Sequence, residues 1–178
     1  IVANFNIGYD FTEWLSLDYT LGYNDYSQDR KTIVNIGSRG NAGKGYIATS
    51  AYSDRALESL LLLSANKRFG DFGVKASIGH NYSQETLNSA SAVGDEIINP
   101  GIFAVDNTKT QTAGESYSHW RKWGIFADVV LDYKNWAFLN LSGRNDVSST
   151  LPTSNRSFFY PAVSGSFVFS EAFDIQND

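Results

Sequence analysis

Asp128 and Asp132 share one parity of a strictly alternating segment, and the next segment places Asn140 and Arg144 on its own polar parity. Two carboxylates on one face are raw material for general acid–base chemistry, in which one group takes a proton and the other supplies one. Polar residues lining a water-filled or protein-filled interior account for the same pattern without catalysis. Arg144 and Asp146 read as cross-strand contacts, or contacts to a plug inside the wall, each worth a fraction of a kcal/mol. The two histidines, His80 and His119, fall in separate elements with no metal-ligand spacing around them, so a zinc site is not expected. His80 carries the apolar parity of its segment, which calls for a local register change or contact with lipid headgroups.

Three further patterns imitate binding sites. The run from Gly37 to Gly45 looks like a phosphate loop, but Ser38 stands where the first glycine belongs and Gly45 where the magnesium-binding hydroxyl belongs. It reads as a flexible loop. Asp25 and Asp29 lack the spacing of a calcium loop and read as solvated acids. Tyr117, Trp120 and Trp123 have the ring types that stack on sugars, and they also suit anchors at a membrane rim; Trp123 fits the anchor role best. No catalytic residue, metal site or cofactor is expected, and Tyr117 and Trp120 remain the candidates for substrate or partner contact.

The elements that position these residues are strands. Ile125, Ala127, Val129, Leu131 and Tyr133 oppose Gly124, Asp128 and Asp132, and after a turn at Lys134-Asn135 the apolar set resumes with Ala137, Leu139 and Leu141. Such a dyad repeat suits a wall with lipid on one side and water on the other. Extended along the chain, the same reading gives seven strands. They fall near Val2 to Tyr9, Trp14 to Asn24, Glu58 to Phe69, Val74 to Tyr82, Trp120 to Tyr133, Ala137 to Arg144 and Tyr160 to Phe169. In the third, Leu61, Leu63 and Ala65 are assigned outward, with Leu60 and Leu62 inside. Short turns at 10–13, 70–73 and 133–136 alternate with long connections at 25–55, 84–118 and 146–157, as bacterial barrels divide theirs between the periplasmic and extracellular sides. Tyr9, Phe11, Trp14, Phe69, Phe72, Tyr133, Trp136, Phe169 and Phe173 then form one aromatic girdle. Tyr23, Tyr82, Trp123 and Tyr160 lie near the other.

Composition agrees. Aromatic residues are 15% of the 178, charged residues 19%, and there are only 3 prolines. No apolar run approaches the roughly 20 residues of a membrane helix, so any crossing is made by strands. A net charge of −5 speaks against nucleic acid as a partner. Cysteine is absent, which removes disulfides and thiolate sites. Methionine is absent too, and no basic-then-apolar leader opens the chain, so a precursor start is expected to be missing.

From Gly143-Arg144-Asn145-Asp146 through Ser149-Thr150-Leu151-Pro152 to Asn155-Arg156-Ser157-Phe158-Phe159-Tyr160-Pro161, the sequence resembles the SusC/RagA-type TonB-dependent transporters of Bacteroidetes. Val147 stands where that family usually carries an aromatic. The resemblance implies an all-β fold: an antiparallel transmembrane β-barrel segment of about seven strands, belonging to a barrel of about 22, with long extracellular loops and short periplasmic turns. Residues 1–178 would be a partial barrel domain without plug or signal peptide. It further implies an outer-membrane importer of glycans or peptides, with a SusD-like lipoprotein lid, with TonB engaged through an absent N-terminal region, and with Arg144, Asn145 and Asp146 as lumen and rim residues. Two other readings remain open. One is a small eight-stranded barrel of structural or adhesive role, which the odd strand count and the tail Asp174 to Asp178, lacking a terminal aromatic, fit less well. The other is a secreted carbohydrate-binding β-sandwich, whose sheets would bury the face that is apolar here in a dry core.

Overall fold

The computed structural model describes residues 1–173 and 175; the rest of the tail from Asp174 lies outside them. Seven strands form one sheet in sequence order: β1 (Val2–Thr12), β2 (Leu15–Val34), β3 (Tyr46–Phe69), β4 (Phe72–Ile97), β5 (Thr108–Tyr133), β6 (Ala137–Ser148) and β7 (Ser157–Phe167). A four-residue helix, α1 (Phe169–Ala172), follows. All-β architecture and strand number agree with the sequence reading. The strand lengths do not.

β2 has 20 residues, β3 has 24, and β4 and β5 have 26 each, well beyond the 3–10 usual in globular proteins. The expected long connections at 25–55, 84–118 and 146–157 contract to residues 35–45, 98–107 and 149–156, because most of the first two supposed loops, and the two ends of the third, are strand. Alternation in sequence reports a difference between the two faces of a sheet. Stretches such as Ser27-Gln28-Asp29-Arg30 or Asn88-Ser89-Ala90-Ser91 are polar or small on both parities, so the period vanishes. The backbone ladder still propagates from a neighbour already in register, and Thr, Tyr, Val and Ile keep the β-propensity.

By packing, the chain divides into two compact units. One comprises Ala3–Tyr23, Leu57–Gln84 and Trp120–Asp178, and carries the alternating segments. Its faces follow from register. Opposite Asp128, Phe126 and Gly124 on β5 stand Ser142, Arg144 and Asp146 on β6, and opposite Arg144 and Asp146 stand Tyr160 and Phe158 on β7. These share a polar face. Leu131, Leu139 and Gly165 line up across the same strands on the other face, with Val129, Leu141 and Val163 beside them. On β4, Gly73 lies under the Asp132 carboxylate, Gly79 under the Phe126 ring, and Asn81 reaches Arg144. These contacts step evenly along β4 and β5, so no register change occurs at His80. Instead its ring lies 6.2 Å from that of Trp123 on the apolar face. Arg68 of β3 bonds Asp132, which puts the even parity of β3 on the polar face and agrees with Leu61 and Leu63 pointing outward.

The short turns lie at Glu13–Trp14, Gly70–Asp71 and Lys134–Trp136. In the last, Lys134 and Asn135 both hold positive φ (49° and 62°), as a type I′ hairpin turn requires, and the Trp136 N–H donates to the Tyr133 carbonyl at 3.1 Å. Rings run in series past this turn: Phe72 to Tyr133 at 4.8 Å, Tyr133 to Trp136 at 5.3 Å, Trp136 to Phe167 at 5.4 Å and Phe167 to Phe173 at 6.2 Å. Two expected girdle members fall elsewhere. β7 ends at Phe167, so Phe169 opens α1 instead of closing the strand. Tyr160, opposite Arg144, belongs to the polar face, since a parity shift of one residue moves a side chain through the sheet.

The other unit comprises Ile1–Val2, Asn24–Ala56 and Glu85–His119. It holds the two buried hydrophobic residues found among the described residues, Ile47 and Ile97. The run expected to be a flexible loop is a tight turn in which Asn41 and Ala42 are left-handed and the Gly37 N–H donates to the Gly43 carbonyl. Gly45 is required at φ 73°, because a Cβ there would come within 2.7 Å of the Val34 carbonyl oxygen. The Glu96 and Ile97 amides donate to the Gly45 and Lys44 carbonyls. Glu96 takes an ion pair from Lys44 and another from Lys109 at 2.8 Å. In the 98–107 connection, Asn107 is the organiser: its amide nitrogen donates to the Asn99 and Ile102 carbonyls, and its side-chain oxygen accepts from Asn99.

Two outcomes follow from this geometry. With the apolar face in lipid, Leu141→Arg costs about 2–4 kcal/mol of barrel stability. Ser142→Arg, one residue on and opposite Asp128, costs far less, as denaturant titration of the complete barrel in detergent will read. The hydrogen bonds from Lys109 and Lys44 hold Glu96 at about 2, below its ordinary 4.5. A depressed carboxylate stabilises the folded form above its unfolded pKa, and that contribution fades as pH falls from about 4.5 through about 2. The protection factors of the Glu96 and Ile97 amides, taken relative to intrinsic exchange at each pH, therefore fall across that window, and Glu96→Gln removes that fall.

Candidate functional site

The most developed constellation is on the polar face where β4, β5 and β6 meet. Arg144 donates from Nε and Nη2 to the two oxygens of Asp146, each at 2.8 Å, and from Nη2 to Asn81 Oδ1 at 2.8 Å. Its guanidinium also lies 5.6 Å from the centroid of the Phe126 ring. The expected partnership of Arg144 and Asp146 exists, but within one strand, between residues i and i+2 on the same face. The cross-strand partner is Asn81, two strands away.

Two glycines make the constellation possible. A Cβ on Gly124 would come within 2.2 Å of Asp146 Oδ1, and a Cβ on Gly79 within 2.3 Å of Phe126 Cζ. The carboxylate and the ring thus lie directly on neighbouring backbone, and the space that two side chains would fill is taken by one ion pair and one aromatic. Beside them opens a hollow of about 430 Å³, lined by Lys122, Asn81, Ser83, Leu151, Phe158 and Tyr160 together with the ion pair. Lys122 holds its ammonium 4.8 Å from the centroid of the Trp120 ring.

Nearer the short turns the same face carries a second ion pair. Arg68 bonds Asp132 at 2.6 Å and Asn135 at 2.7 Å, beside a smaller hollow of about 260 Å³ that also includes Lys75 and Phe138. A Cβ on Gly73 would collide with the Asp132 carboxylate at 1.7 Å, so this pair too is seated on a glycine. Asp128 and Asp132 therefore do not act as a couple: the first stands opposite Ser142 and the second is held by Arg68. Among the described residues no group of three or more histidine, cysteine, aspartate or glutamate side chains could hold a metal ion.

In the unit that contains the 35–45 and 98–107 connections, Tyr117 is 69% exposed and stacks on His119 at 6.3 Å, while Thr86 Oγ1 lies 2.9 Å from His119 Nδ1. Tyr117 borders an open groove of about 740 Å³ with Asp29, Ser53 and Asn88. Tyr26 and Tyr52 approach to 6.2 Å, and the Tyr52 hydroxyl is held above its ordinary range by desolvation and by the charges of Asp54 and Glu85.

The sequence-predicted residues thus separate. Arg144 and Asp146 are brought together. Asn145 projects to the other face, where its side-chain oxygen accepts from Ser157 at 3.1 Å. Trp120 joins the polar-face hollow through Lys122. Tyr117 belongs to the other compact unit, where it borders the groove with Asp29, Ser53 and Asn88. Lys122, Phe126, Phe158 and Tyr160 were missed. The parity of Lys122 and Phe126 was available in the sequence, but the faces of Phe158 and Tyr160, and the convergence of all four, depend on cross-strand register.

No family model and no curated protein matches the chain. Solved structures do. The chain superposes on the RagAB peptide transporter with a TM-score of 0.91 at 17% identity, covering 99% of this chain and 20% of that one. On the same importer in its "open-open" state the score is 0.88 at 18% identity. The siderophore receptor PiuA from Acinetobacter baumannii gives 0.52 at 13% identity, covering 92% of this chain and 28% of the receptor. The chain thus has the fold of a portion of a large transport barrel and spans about a fifth of the length of the peptide transporter it matches.

If the glycine seats hold the ion pair and ring in place, Gly124→Ala displaces Asp146 and costs about 1–3 kcal/mol. Gly143→Ala, whose added Cβ meets the edge of the Phe159 ring at 3.2 Å, costs less. Unfolding midpoints of the two variants in the complete barrel check the difference.

Proposed function

We propose that the chain is wall from an outer-membrane TonB-dependent importer of the SusC/RagA type, with residues 1–178 part of its barrel domain. The observation that carries the reading is the superposition of 99% of the chain on a peptide transporter. It is joined by a wall whose one face is apolar and whose other carries seated ion pairs. Seventeen per cent identity makes this an argument from fold; the run from Gly143 to Pro161 adds motif support.

On this reading the short turns face the periplasm and the 35–45, 98–107 and 149–156 connections face the exterior. Oligopeptide is the favoured cargo over glycan, because structures that match 99% of the chain belong to a peptide importer. A SusD-like surface lipoprotein is the partner at the outer connections, and TonB supplies coupling through a plug region elsewhere in the polypeptide. Loops on a rigid wall are where such partners bind, and Ile98 and Ile102 stand 54% and 53% exposed in the 98–107 connection.

The test is energised uptake of labelled oligopeptides by cells carrying the complete protein. Uptake that is absent from a deletion strain and abolished without TonB supports the importer reading, and uptake indifferent to both defeats it. In the same cells, Ile98→Asp with Ile102→Asp lowers co-purification of the lipoprotein severalfold while barrel levels hold. Unchanged co-purification takes this connection out of the partner surface.

A further inference from the structure

We propose that the polar-face hollow beside Lys122 is a subsite for a carboxylate of the imported oligopeptide, either an acidic side chain or the C-terminus. The inference rests on the importer reading above and assigns a recognition chemistry to one place on the wall.

Charge balance marks this hollow, as it does the smaller one of about 260 Å³ where Arg68 and Lys75 face Asp132, and its larger volume suits it better to a peptide residue. Arg144 is paired with Asp146, Arg68 with Asp132, Lys134 with Asp71, and Lys44 and Lys109 with Glu96. Lys122 has no carboxylate partner among the described residues, although it borders a concave site. The Trp120 ring holds its ammonium in place without neutralising it. Arg144 contributes as well. Its Nε and Nη2 are spent on Asp146 and Asn81, whereas Nη1 has no hydrogen-bond partner among the described residues, leaving two of its five donors for a ligand. With two cations and one carboxylate, the hollow carries one uncompensated positive charge.

The remaining lining is Trp123, Val147, Leu151, Phe158 and Tyr160, with Asn81 and small hydroxyl residues between. An anion-accepting end against aromatic and aliphatic walls suits a carboxylate attached to a short apolar stem. The volume of about 430 Å³ lies toward the small end of ligand pockets, enough for one or two residues of a peptide. A neutral sugar stacked on Tyr160 would cover Lys122 without supplying a counter-charge, and a basic side chain would meet repulsion. Gly124 keeps the arrangement rigid by locking the Arg144–Asp146 pair to the backbone, so the free donors of Arg144 stay oriented before a ligand arrives.

The complete transporter, its Lys122→Gln variant and its Lys122→Arg variant are compared in binding and uptake at low salt. The probes are a short peptide ending in a free Glu, the same peptide with Gln and an amidated C-terminus, and an oligogalacturonate. The wild type is expected to prefer the acidic peptide about tenfold, which corresponds to about 1.4 kcal/mol. Lys122→Gln brings the preference close to one, and Lys122→Arg retains most of it. An unchanged preference in Lys122→Gln, with uptake continuing, overturns the subsite and leaves the importer standing. Stronger binding of the oligogalacturonate than of either peptide overturns the peptide assignment. Absence of uptake of every peptide by the wild type defeats the importer reading and the subsite with it.

Discussion

Every backbone N–H and C=O in a sheet with one apolar face must find its partner inside the sheet, and this requirement orders the rest of the molecule. Wherever such a face is kept from water, each orphaned group costs several kcal/mol. The strands accordingly run unbroken through the alternating segments, and the reversals between β1 and β2 and between β3 and β4 take two residues each. The same ladder explains why the strands continue beyond the amphipathic region. Once two strands are in register, extending the pairing is favourable wherever side chains are merely tolerant of a pleated surface.

A single sheet cannot bury a core of the ordinary kind. The chain exposes 12369 Å², against roughly 8600 Å² for a compact monomer of its mass, and Phe5, Ile7, Phe159 and Val163 are all more than half exposed. Packing is instead achieved laterally. Phe126 lies on Gly79, Asp146 on Gly124 and Asp132 on Gly73, so large or charged side chains settle into the gaps of the neighbouring strand. These contacts fix register as well as energy, since sliding one strand by two residues would drive a Cβ into a ring or carboxylate.

The two compact units answer to different physics. At the short turns, rings in T-shaped contact and lysines over rings, such as Lys67 above Trp14 at 4.6 Å, suit a boundary where an apolar body and a polar tip are both wanted. In the unit that carries the 35–45 and 98–107 connections, stability comes from the buried side chains of Ile47 and Ile97, from the Asn107 hydrogen bonds, and from the Glu96 ion pairs. The connections are thus built structures, and their exposed residues are presented on a fixed frame.

The amino-acid sequence by itself determined the class of fold, the number of strands, and which residues of β4, β5 and β6 share a face. Those properties depend on side-chain period alone, and a sheet with one apolar and one polar face keeps that period strictly. It also carried the Arg144 and Asp146 pair, whose spacing of two places both on one face whatever lies beside them. Tertiary structure decided where the strands end, because pairing beyond Asn24 and before Ala56 is held by backbone bonds that leave no mark in hydrophobicity. It decided the face of Tyr160 as well, through the register that β7 takes from β6. The convergence of Lys122, Arg144, Asn81 and Tyr160 on one hollow came from the same source. Four strands contribute to it, and the physical link between them is a ladder of identical backbone groups, which fixes neighbours without naming them in the sequence.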